Sequence, residues 1–214
     1  MRTADIITLA RIALVIPIVY LVLLKVNPII PITLLAISII SDGLDGYAAL
    51  HSQSKGKIGF MDYLKYSLGD ETNAKRIKNV KASISVTAKH GPRMDIAGDR
   101  ITEYSMWVLF LYVHIVPLII VIAVVMRHSI ADALMAAKGT SSKMKTRFAQ
   151  IVYSSNIVGR AGSAAIKLVT FSYLMLVYVQ PMRYPISIGY ALIAILVIYI
   201  MVKGAAEIYE SLSN

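Results

Sequence analysis

Six apolar stretches follow one another along this chain: 4–24, 28–49, 95–116, 117–137, 151–179 and 185–208. Each has about the twenty residues a helix needs to cross the hydrocarbon core of a bilayer. Their number and length predict an all-α fold, a polytopic membrane protein with six transmembrane helices, and a single domain over 1–214. Composition agrees: 57% of the residues are hydrophobic and the mean hydropathy is +0.66, above the apolar share of a soluble domain. The run at 4–24 is longer than the apolar core of a secretory signal, and no small-residue cleavage pattern follows it, so it reads as the first span. With no cysteine, disulfides and thiolate metal sites are excluded, and any metal must be held by oxygen or imidazole.

The net charge of +10 is unevenly spread. Lys55, Lys57, Lys65, Lys75, Arg76, Lys78, Lys81, Lys89 and Arg93 fall between the second and third stretches, and Lys138, Lys143, Lys145 and Arg147 between the fourth and fifth. The alternate connections hold only Lys25 and Arg183. Basic loops stay on the cytoplasmic side, which puts both termini and both basic loops there, in the cytoplasmic membrane. Because the charges flank spans, the partners they imply are anionic lipid and phosphorylated substrates rather than nucleic acid. One segment breaks the membrane pattern. A polar insertion at about 51–93 is too long for an ordinary connection. It holds a weak amphipathic period at 58–68 and a short basic helix candidate at 71–82, and reads as a tolerated cytoplasmic loop or as a lid.

Four acids stand at the ends of spans, where carboxylates should not be. Asp42 and Asp45 close the second stretch, and Asp95 and Asp99 open the third. Spacings of three and four place each pair on one helix face. Carboxylates at a membrane helix end are costly unless paired, solvated or bound to a cation, so such a group is a functional site by default. Divalent cations are its natural neutraliser, and hard oxygen donors suit Mg²⁺ or Mn²⁺. The same acids would also serve a structural ion-pair site or a divalent-cation transporter.

The acids lie in two strings, D-G-L-D-G-Y-A-A over 42–49 and G-P-R-M-D-I-A-G-D over 91–99. Together they resemble the signature of the CDP-alcohol phosphotransferase family, D-x-x-D-G-x-x-A-R, about eight residues, then G-x-x-x-D-x-x-x-D. Seven of the eight specified residues are present: Asp42, Asp45, Gly46, Ala49, Gly91, Asp95 and Asp99. Leu50 stands where the arginine is expected, and 51–90 replaces the short spacer. Gly59 and Asp62 lie near the usual distance from Ala49, but Tyr66 stands where the second acid would be. The string I-I-T-L-A-R over 6–11 is similar to the family's first-helix pattern, and 127–146 is similar to a segment of phosphatidylglycerophosphate synthase-like members.

The resemblance implies transfer of a phosphatidyl-type group, from an ester or ether CDP-lipid, to an alcohol, with release of CMP. It implies two Mg²⁺ or Mn²⁺ ions held by Asp42, Asp45, Asp95 and Asp99, with Asp99 as the loosest ligand or the catalytic base. It places the nucleotide at Asp42, Gly46, Ala49 and Gly91, with the missing Cβ of Gly46 and Gly91 letting backbone approach closely, and it implies a homodimer. Arg160 within the fifth stretch, with Lys143, Lys145 and Arg127, forms a candidate pocket for a phosphate on the acceptor, since guanidinium and ammonium groups both suit phosphate. Glycerol 3-phosphate is the favoured acceptor, then inositol phosphate, then serine. The same cations would also answer the aspartates or anionic lipid. The four histidines show no metal-ligand spacing: His51 and His90 read as loop residues, His114 and His128 as span or interface residues.

Overall fold

The computed structural model describes residues 3–53, 58–67, 77, 91–138, 146–154 and 160–213. Among the described residues there are eight helices and no strand: α1 Thr3–Leu23, α2 Ile29–Gln53, α3 Phe60–Ser67, α4 Gly91–Tyr112, α5 Leu118–Lys138, α6 Arg147–Ser154, α7 Arg160–Val179 and α8 Ile186–Leu212. Six of these have 20 residues or more. α1 packs against both α2 and α4, α5 against α4 and α8, and α7 against α2 and α8.

Local chemistry explains the helix ends. Prolines precede α2, α5 and α8 at Pro28, Pro117 and Pro185, where a missing N–H costs nothing. Asn27 adds a cap, its Oδ1 accepting from the Ile29 amide at 3.1 Å. Two helices end in the same left-handed turn. After α1, the Lys25 amide donates to Val22 O and the Val26 amide to Leu21 O. After α4, the His114 amide donates to Leu111 O and the Ile115 amide to Phe110 O. Lys25 and His114 take φ of 52° and 60° at these turns, a place usually given to glycine.

The core runs through the apolar half of the bundle. Trp107 and Phe110 of α4 meet Phe171 of α7, the first edge-on at 5.3 Å and the second stacked at 6.0 Å. Val15, Ile18, Leu35, Leu174, Met175 and Leu196 close around them. The outward faces remain apolar, with Ile16, Ile119 and Ile198 all exposed, as lipid-facing surfaces should be. Among the described residues, four stretches are long and apolar enough to cross a membrane, Asp5–Leu23, Leu118–Met135, Gly162–Val179 and Ile186–Leu212, with a shorter apolar one at Ile29–Ser41. The protein is therefore integral to a membrane. The expected six spans are not all met on that measure, for a definite reason: Asp42 and Asp45 cut short the apolar part of α2, and Asp95, Asp99, Arg100 and Glu103 charge the first half of α4.

Three boundaries differ from those read in the sequence. The stretch at 151–179 is not one helix, because α6 ends at Ser154 and α7 begins at Arg160. α6 is amphipathic rather than spanning, with Ala149 buried and Phe148 and Ile151 exposed. It is tied to α8 through Thr146, whose amide and hydroxyl both donate to Glu210, at 2.8 and 2.6 Å. α2 continues to Gln53 and α4 starts at Gly91, so the four aspartates lie within helices. His51 is consequently a helix residue, not a loop residue.

Candidate active site

α1 and α2 form a hairpin across the turn at Leu24–Pro28, so Asp42 and Asp45 on α2 come level with Thr8 and Arg11 on α1. α4 crosses the same end of α1. Arg11, 2% exposed, donates from Nη1 to Asp99 Oδ1 at 2.9 Å, and the Asp99 side chain is 45% exposed. The approach depends on Gly98: a Cβ there would lie 2.7 Å from Arg11 Nη2 and 2.9 Å from Thr8 Cγ2. The two acidic helices thus flank α1 at one end of the bundle. Asp95, Gly46, Ala49 and Gly91 lie on these same helices, Gly91 as the first residue of α4.

From Asp99 a chain of charged groups runs inward. Arg100 grips Asp132 of α5 with two bonds, Nε to Oδ2 at 2.6 Å and Nη2 to Oδ1 at 2.8 Å, the fork geometry that makes such pairs strong. Glu103, one turn further along α4, accepts from Lys167 Nζ of α7 at 2.6 Å and from His128 Nε2 of α5 at 3.0 Å. His128 Nδ1 in turn accepts from Arg127 Nη1, and Arg127 Nη2 donates to Glu207 of α8 at 2.7 Å. Gly204 lets this happen, because a Cβ there would overlap the Arg127 side chain. Ionisable groups within spans face the bundle interior and pair with one another, and these do.

The groups enclose a polar cavity of about 100 Å³, walled by Asp99, Arg100, Arg127, Lys167, Lys203 and Glu207, with His128, Ser163 and Tyr199. Four cations and two carboxylates leave its wall with an excess of positive charge. The space equals roughly three water volumes, the scale of a tetrahedral oxyanion.

Asp99 and Arg127 therefore come together at one cavity. Arg160 is not inside a span: it is the first residue of α7, where a cation opposes the helix dipole, and its turn leads to Ser163 and Lys167 on the cavity wall. Lys143 and Lys145 lie outside the described residues. So does most of the insertion, including the helix candidate at 71–82 save Ile77. Its described part, α3, is docked: Tyr47 of α2 meets Phe60 edge-on at 5.4 Å and Tyr63 at 5.7 Å, and His51 Nδ1 donates to Ile58 O at 2.8 Å.

Arg11, Arg100, Glu103, His128, Asp132, Lys203 and Glu207 were not among the candidates drawn from the sequence, and Lys167 was not given a place in the pocket. The signal was available, since each is an ionisable residue in an otherwise apolar stretch.

No curated protein and no solved structure matches the chain. The CDP-alcohol phosphatidyltransferase family model matches residues 1–63, taking in α1 and α2 with Asp42, Asp45, Gly46 and Ala49. That match supports the family, a phosphotransferase family that is generally dependent on divalent metal and works on CDP-alcohol substrates at membranes.

Proposed function

We propose that the protein is a membrane CDP-alcohol phosphotransferase of the phosphatidylglycerophosphate synthase-like type, with glycerol 3-phosphate as the favoured acceptor. The observation that carries this reading is the cation-rich cavity beside Asp99, the last acid of the second acidic string. In this reading all six long helices cross the membrane, the site faces the cytoplasm, and the enzyme is a homodimer.

The donor set fits a hard divalent ion. It consists of carboxylates alone, and Asp99 is exposed enough to receive a cation while already holding the Arg11 guanidinium. Asp42, Asp45 and Asp95, with Asp99, would hold Mg²⁺ or Mn²⁺, which screens the pyrophosphate charge and stabilises the departing CMP oxygen. Gly46, Ala49 and Gly91 admit the nucleotide. Arg127, Arg100, Lys167 and Lys203 seat the acceptor's phosphate, and Arg160, Lys143 and Lys145 would add to its recognition. This directs the acceptor hydroxyl toward the CDP-lipid. The hydroxyl oxygen bonds to the lipid-bearing phosphorus, the bond from that phosphorus to the CMP oxygen breaks, and Asp99 accepts the hydroxyl proton.

The test is release of CMP by purified protein given CDP-lipid and a panel of glycerol 3-phosphate, inositol phosphate and serine. Release should require Mg²⁺ or Mn²⁺ and should be lost in Asp42→Asn and Asp95→Asn, with weaker Mn²⁺ binding measured separately. Full release in chelator, or preference for an uncharged alcohol, refutes the assignment.

A further inference from the structure

We propose that Glu103 is a positioning residue of the polar cavity, a carboxylate set behind the wall that fixes Lys167, His128 and Arg100 around the space they line. The proposal rests on reading that cavity as a phosphate site. Glu103 is 1% exposed at its side chain and does not itself line the cavity, whereas all three of its partners do. They come from three helices, α4, α5 and α7, so one carboxylate sets the relative placement of groups the backbone alone would hold loosely.

The contacts are unequal. The Lys167 bond at 2.6 Å is the short, charge-assisted one, and the His128 bond at 3.0 Å is ordinary. Arg100 Nη1 at 3.5 Å is a weak electrostatic neighbour, its fork being spent on Asp132. Lys167 is therefore the group most dependent on Glu103. An ammonium has three donors. One is committed to Glu103, which stops a rotamer-rich side chain from wandering and leaves two for an anion in the cavity. His128 transmits the same constraint to Arg127 through its other ring nitrogen.

Charge alone argues the opposite way. Removing an anion from behind the wall makes the cavity more positive and should tighten phosphate binding. Loss of position should weaken it. The sign of the change separates the two.

The probe is inorganic phosphate, its equilibrium binding measured on the purified full-length protein in detergent, beside the KM values for glycerol 3-phosphate and CDP-lipid. Glu103→Gln is expected to weaken phosphate binding about tenfold, the scale of one lost charge-assisted bond, and to raise the acceptor KM alike. The donor KM stays unchanged. Glu103→Asp restores charge but not reach, and recovers only part of the loss. Lys167→Met causes a loss of its own, to which Glu103→Gln adds little. Phosphate binding that is unaltered or tighter in Glu103→Gln overturns the proposal, as do full rescue by Glu103→Asp, additive losses, or a wild-type protein that binds no phosphate. The emission of Trp107, buried one turn beyond Glu103, reports whether the core survives. Should Glu103→Gln lose that signal, Glu103→Asp and Lys167→Met decide the matter in its place. A wild-type protein that binds phosphate but releases no CMP removes the assigned reaction and leaves the role of Glu103 standing.

Discussion

Gly204→Ala is the smallest change that reaches the cavity, adding one methyl group on α8. The new Cβ would lie 2.6 Å from Cγ and 2.8 Å from Cδ of Arg127, against a comfortable carbon–carbon separation of about 3.5–4.0 Å. Arg127 cannot step aside into solvent, being 8% exposed and bonded to both Glu207 and His128. Two responses are open. α5 and α8 can spread, with an overpacking cost of about 1–3 kcal/mol. Alternatively the guanidinium can leave Glu207, forfeiting a charge-assisted bond of about 1.5–3 kcal/mol. The molecule takes the cheaper route, so the two costs do not add. The better helix propensity of alanine returns up to about 1 kcal/mol, and the net destabilisation should be roughly 0.5–2 kcal/mol. Unfolding in detergent micelles measures it, and the acceptor KM should rise in parallel because Arg127 is displaced from the wall.

The decisive comparison repeats the substitution in an Arg127→Ala background. There the methyl group meets no side chain, and Gly204→Ala should become neutral or stabilising. Equal destabilisation in both backgrounds would show that the helix backbones, not Arg127, define the contact, and the reasoning fails. Gly43→Ala is the control: nothing lies within 4 Å of a Cβ at that position, so the substitution should raise stability by about 0.5–1 kcal/mol.

His114→Gly should stabilise the protein by roughly 1 kcal/mol, since it relieves a left-handed residue; a lower melting temperature would mean the imidazole does more than occupy the turn. Phe60→Ala should cost about 0.5–1.5 kcal/mol through its contact with Tyr47, and replacing 58–67 by a linker should destabilise the end of α2, whereas unchanged melting would show α3 to be dispensable. Arg160→Ala should raise the acceptor KM less than Lys167→Met does, because Lys167 lines the cavity while Arg160 begins the helix; the reverse order would put the phosphate nearer the start of α7.

The long helices were legible because each combines a sustained apolar run with a proline or polar turn at its start, as at Pro28, Pro117 and Pro185. The break between α6 and α7 is hidden by hydropathy: Phe148, Ile151 and Val152 are apolar enough to extend a span, yet α6 buries Ala149 and leaves Phe148 and Ile151 exposed. Asp99 stood out through its spacing from Asp95 and Gly91. Its partner Arg11 did not, because an ion pair between residues 88 positions apart leaves no local pattern. His128 leaves no local pattern for a similar reason: its partner Glu103 is on α4, 25 positions away. Arg160 reads in the sequence as a charge inside an apolar run, but it is the first residue of α7, separate from α6.

What the polar end of the bundle holds in place follows from the solvent around it. Between helices in lipid, apolar contact gains little over apolar lipid, so packing and polar bonds must set which helices meet and at what register. At the apolar end Trp107, Phe110 and Phe171 do this by shape. At the other end, among the described residues, four helix pairs are joined by charge: α1 to α4 through Arg11 and Asp99, α4 to α5 through Arg100 and Asp132, α4 to α7 through Glu103 and Lys167, and α5 to α8 through Arg127 and Glu207. These same side chains wall the cavity, apart from Arg11, Glu103 and Asp132, which stand behind it. Breaking one partner of such a buried pair leaves an uncompensated charge and is strongly destabilising. An anion entering the cavity breaks none of them. It meets donors already ordered by their carboxylates, so the ordering of these five helices is complete before the ligand arrives.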